Sequence, residues 1–118
     1  MERCVLLLIL ITISGVFADS IEPKNKDDII RREGESVTLS CTYDASSNYA
    51  MLYWYRQYPN REPQYLLRKG ARSWNREEDI PDPRFQSITS ESSTELTIKS
   101  VTLSDSALYY CALRVGAQ

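Results

Sequence analysis

Between Glu35 and Tyr43 the chain reads ESVTLSCTY, with Val37, Leu39 and Cys41 separated by Ser36, Thr38 and Ser40. Successive side chains of an extended chain point to opposite sides, so this alternation predicts a strand with one buried and one wet face. MLYWYRQ (51–57) predicts a second strand, and PQYLLR (63–68) a third after the turn YPNRE. STELTIKSV (93–101) turns Leu96 and Ile98 inward and Thr97 and Lys99 outward, and 107–113 of DSALYYCALR closes the series. There is no internal repeat and no long helical periodicity. Short alternating strands separated by polar turns predict an all-β domain, an antiparallel sandwich or barrel.

The amino-terminal segment departs from this pattern. Arg3 precedes the apolar run VLLLILITI (Val5–Ile13), and Val16 and Ala18 follow with the spacing of a leader-peptidase site. The run is shorter than the roughly 20 residues that span a bilayer, so residues 1–18 are expected to be a signal peptide and 19–118 the folded domain. Glu2 and Arg3 would leave together, keeping the formal net charge at −2. No basic block suits a nucleic acid, and no later apolar run suits a membrane span.

Cysteine and histidine counts narrow the chemistry. Of the three cysteines, Cys4 lies in the leader, and the remaining pair, Cys41 and Cys111, reads as one disulfide formed in an oxidising compartment. The chain has no histidine, which removes the histidine-dependent catalytic arrangements and the commonest metal ligand. Nothing points to a cofactor or metal. The acidic run Glu77, Glu78, Asp79 sits in a polar loop and reads as solvated charge, so a secreted hydrolase is not supported. No Asn-x-Ser/Thr sequon is present.

Trp54 follows Cys41 by thirteen positions, Cys111 follows it by 70, Tyr109 stands two before Cys111, and Asp105 four before Tyr109. This Cys…Trp…Cys spacing with its tyrosine resembles the immunoglobulin sandwich. The resemblance implies a disulfide bridging two sheets, an indole packed on it, and a Tyr109 hydroxyl bonded to nearby backbone. Asp105 is expected to pair with Arg84 across the base; a solvated turn aspartate is the alternative. These are stabilising features.

WYRQYP, RFQS, STELTIKSV and DSALYYCALR together resemble the variable domain of a T-cell receptor alpha (or delta) chain, over essentially all of 19–118. The resemblance implies a variable-type Greek-key sandwich whose last strand comes from a joining segment. It implies pairing with a beta (or gamma) chain variable domain, binding of peptide–MHC, and signalling through a constant region, at the extracellular face of the plasma membrane after passage through the secretory pathway. A non-rearranging immunoglobulin-superfamily receptor and an immunoglobulin light chain are the alternatives.

The outward face should then carry Tyr55, Gln57, Pro63, Tyr65 and Tyr110, too aromatic for an ordinary wet surface and suited to a partner, with Gln57 hydrogen-bonding across to it. Three loops would form the recognition end: 45–51 with Ser46, Ser47, Asn48 and Tyr49; 69–76 with Arg72, Ser73, Trp74 and Arg76; and the segment after Cys111 with Leu113 and Arg114. Trp74 reads either as a contact anchor or as folded back on its own sheet, and Arg72 and Arg76 either as partners of acidic rims or as solvated. Without a further strand, the strand bearing Tyr110 is expected to leave an open edge.

Overall fold

The computed structural model describes residues 3–9, 19–24 and 27–116. Among the described residues ten strands form two sheets: β1 (Arg3–Ile9), β2 (Ser20–Pro23), β3 (Ile29–Arg32), β4 (Val37–Asp44), β5 (Tyr49–Gln57), β6 (Gln64–Arg72), β7 (Glu78–Asp79), β8 (Phe85–Thr89), β9 (Ser93–Ile98) and β10 (Ala107–Val115). One sheet has the order β3-β1-β10-β5-β6-β7, the other β2-β4-β9-β8. A 3-10 turn at Leu103–Asp105 leads into β10.

The alternating segments bury the faces their patterns require. Val37, Leu39, Cys41 and Tyr43 of β4 point inward, as do Thr94, Leu96 and Ile98 of β9, and Tyr109, Cys111 and Leu113 of β10. Cys41 and Cys111 join the sheets, with Cα atoms 6.7 Å apart. The Trp54 indole is fully buried and donates its Nε1–H to Thr94 Oγ1 at 3.4 Å. That bond satisfies the one polar atom the ring would otherwise bury unpaired.

Strand boundaries move from their expected positions, most clearly in β6 and β10. The third strand runs on from Arg68 to Arg72, because its ladder with β5 continues through Met51↔Gly70 to Tyr49↔Arg72. Gly70 is placed there for close approach rather than for a turn: a Cβ would lie 1.9 Å from the Trp74 carbonyl oxygen. Likewise β10 continues past Leu113 to Val115, which pairs with Ala50.

The edge of β10 is not open along its first half. Residues 3–9, within the segment read as a leader, run parallel to it, with Leu6↔Ala107 through Ile9↔Tyr110 in register. The same strand pairs antiparallel with β3, from Arg3↔Arg32 to Leu6↔Ile29. Backbone donors and acceptors alone suffice for such a ladder, so an unbroken apolar run can complete it.

Candidate functional site

At the base, Asp105 is 1% exposed and accepts two bonds from Arg84, from Nη1 at 2.9 Å and Nη2 at 3.1 Å. The Thr102 N–H adds a third at 2.9 Å, and Arg56 Nη1 lies 3.6 Å away. Burial alone would raise the carboxyl's pKa, but the Arg84 and Thr102 hydrogen bonds and the two guanidinium charges outweigh it and hold the group below its ordinary value. The Tyr109 hydroxyl donates to the Asp105 carbonyl at 2.7 Å, and burial raises that phenol's pKa. These bonds make this end of the sandwich a fastening.

The outward face of the larger sheet is different. Tyr110 stands opposite Tyr55, and Ala112 opposite Tyr53. The Tyr53 and Tyr55 rings are nearly parallel, 6.3 Å apart, and Tyr55 meets the edge of Tyr65 at 6.0 Å. A bulge between Trp54 and Tyr55 lets β6 bury both Leu66 and Leu67 while Tyr65 still faces outward, 40% exposed. The Tyr65 hydroxyl donates to Asp79 Oδ2 at 2.8 Å; burial, followed by this carboxylate, pushes its pKa up to about 12. Pro63 is exposed in the turn before β6.

The Tyr110 hydroxyl donates to Gln57 Oε1, and Gln57 Nε2 donates to the Arg61 carbonyl at 2.8 Å. Both bonds lie within the chain. They leave the amide one N–H and one lone pair for a neighbour, with the group held in place to offer them. Tyr53 was absent from the expected face, although its i, i+2 relation to Tyr55 carried the signal.

The loop end is more tightly knit than its composition suggests. Ser47 is buried: its hydroxyl donates to the Gly116 carbonyl at 2.9 Å and accepts from the Tyr49 N–H at 3.0 Å. Ser73 N–H donates to the Asn48 carbonyl, and Gly116 N–H to that of Tyr49, each at 2.9 Å. Trp74 leans on Tyr49 with ring centroids 5.4 Å apart, and Gly116 lies against the same indole so closely that a Cβ there would meet it at 2.7 Å. Trp74 is therefore half-buried between loops rather than standing free.

Three residues expected at the contact surface lie beneath it. Leu113 is 1% exposed because alternation along β10 turns it inward with Tyr109 and Cys111. Ser47 is spent on backbone, and the Arg72 guanidinium on carbonyls of neighbouring turns. Ser46, Asn48, Tyr49, Ser73, Arg76 and Arg114 remain at the exposed rim. Of the third loop only the approach through Gly116 lies within the described residues.

Two β-sheets stapled through Cys41 and Cys111, an indole beside the staple and a tyrosine closing the corner are the hallmarks of a variable-type immunoglobulin domain, and residues 24–118 match the immunoglobulin V-set domain model. The chain is 40% identical to human T cell receptor alpha variable 18 over 111 residues, covering 94% of this chain and 96% of that one. It is 37% identical to human T cell receptor alpha variable 3, covering 92% and 93%, and 37% to rabbit T-cell receptor alpha chain V region RL-5, covering 94% and 80%. The chain belongs to the T cell receptor alpha variable family of V-set domains and is an antigen-recognition module. Such relatives are receptor modules, not enzymes. A beta-chain relative, human T cell receptor beta variable 13, is 31% identical over 109 residues.

Proposed function

We propose that this domain pairs, through the face bearing Tyr53, Tyr55, Gln57, Tyr65 and Tyr110, with the variable domain of a beta (or gamma) chain. The observation that carries this reading is the cluster of outward tyrosines with Gln57 fixed at its edge, in a sheet whose opposite face already fills the core. Aromatic side chains supply large apolar area with little conformational entropy to lose, which is why they concentrate at interface centres. In the paired receptor the loop end would meet peptide–MHC through Ser46, Asn48, Tyr49, Ser73, Arg76 and Arg114. Residues 1–18 would direct the chain into the secretory pathway, and a constant region would hold the receptor at the cell surface and link it to its signalling complex.

Substituting Tyr110→Glu or Gln57→Glu tests the pairing. A carboxylate buried in a desolvated interface loses its hydration without gaining a counter-charge. Co-expression with a beta variable domain should yield no heterodimer by size-exclusion chromatography, while the melting temperature of the variant domain stays near that of the wild type. Normal pairing by both variants overturns the assignment.

A further inference from the structure

Arg72 ends β6 with a backbone φ of 56°, in the left-handed region that disfavours any residue with a Cβ. That bend sends its side chain back across the end of the sandwich. Nη1 donates to the carbonyls of Ala45 at 2.7 Å and Ser47 at 2.6 Å. Nε and Nη2 both donate to the Glu91 carbonyl, at 3.1 and 2.6 Å. The guanidinium also lies over the Tyr43 ring, 5.3 Å from its centroid, and the Tyr43 hydroxyl donates to the Ser90 carbonyl at 2.6 Å.

One planar fork thus ties three turns together: the first loop at 45–47, the second at 72–73, and the turn between β8 and β9 at 90–92. The Ser73 N–H to Asn48 carbonyl bond runs alongside it. Turn carbonyls such as these would otherwise be held only by water. A guanidinium reaches all three at once because its donors are fixed in one plane, whereas an ammonium is a point charge on a flexible stem.

We propose that Arg72 is a positioning residue of the recognition end. It makes the first loop, the second loop and the 90–92 turn one rigid body, so that ligand binding loses little loop entropy. It touches no ligand itself. This rests on the reading of the loop end as the recognition surface, and it replaces the expectation that Arg72 faces an acidic rim.

The variants Arg72→Lys and Arg72→Gly separate the fork from its alternatives. Lysine keeps the charge and loses the fork; glycine relieves the left-handed backbone and loses the fork. In the paired extracellular receptor carrying this domain, hydrogen–deuterium exchange at amides 45–49 and 91–92 should rise by about tenfold or more in both variants, with β4 and β9 amides unchanged. Unchanged exchange, or a lysine variant that behaves as wild type, overturns the proposal. As a binding probe, a Fab selected against the loop end of the wild-type receptor should associate about tenfold more slowly with both variants and dissociate at a similar rate. A change confined to dissociation would mark Arg72 as a direct contact and also overturn it. The exchange measurement needs no ligand, so its outcome is independent of whether this end is the recognition surface.

Discussion

Asp105 concentrates at one carboxylate most of what fastens the base of the sandwich: a two-pronged Arg84, a second guanidinium from Arg56, a backbone N–H, and a carbonyl that anchors Tyr109. Its pKa is lowered by folding from an ordinary value of 3.8. A group depressed in the folded state stabilises fully above its unfolded pKa, and that contribution disappears as pH falls through the folded one. Denaturant midpoints of the wild type should therefore drop as pH falls below about 4, and those of Asp105→Asn less so. At neutral pH the asparagine variant should be less stable by about 2 kcal/mol, below the usual loss for a broken buried pair because Arg84 keeps partial access to water. The Arg84–Asp105 pairing was legible through the family resemblance. Arg56 was not, because it shares the inward side of β5 with Trp54, where alternation alone predicts an apolar residue.

At the level of elements, β4, β5, β6, β9 and β10 were legible as strands but their ends were not; β1, β2, β3, β7 and β8 were not read as strands, and Glu78–Asp79, expected in a loop, pairs with β6. Lys69-Gly70 reads as a turn in isolation, yet β6 passes straight through it, and the chain turns only after Arg72. The reason lies across the fold: Gly70 N–H donates to the Glu77 carbonyl at 2.8 Å, its own carbonyl accepts from Thr89 Oγ1 at 2.7 Å, and the returning turn passes over the space a Cβ would need. Gly70→Ala should displace the 73–77 turn, destabilise the domain by about 1–3 kcal/mol in chemical denaturation, and shift the Trp74 emission as its contact with Tyr49 opens. The fully buried Trp54 provides an internal reference for that shift. The loops were legible as composition only. A serine in a polar loop gives no sign that it will be interior, and Ser47 is interior because its hydroxyl happens to bridge two segments far apart in sequence.

For the molecule as a whole, the spacing of Cys41, Trp54, Tyr109 and Cys111 was enough to specify two layers and their covalent tie, since each of these side chains has one role in that architecture. The tie closes a separation of 70 residues. Reducing it, or replacing both cysteines by alanine, should lower unfolding free energy by about 2–5 kcal/mol, measured by denaturant titration with and without reductant. The place of residues 3–9 in the larger sheet was not legible. A mostly apolar run has no alternating face, so period-two reasoning assigns it to no layer, and its composition reads as a leader instead.

Among the ladders of the described residues, Ile29–Arg32 joins the larger sheet only by way of Arg3–Ile9. Whatever stretch of polypeptide lies in that lane acts as the mortar for two neighbours at once. Its withdrawal would leave two rows of unsatisfied peptide groups facing each other across a gap of about 10 Å, twice the ordinary strand spacing. A lane bounded by main chain on both margins sets its terms by straightness and spacing rather than by the side chains of whatever fills it.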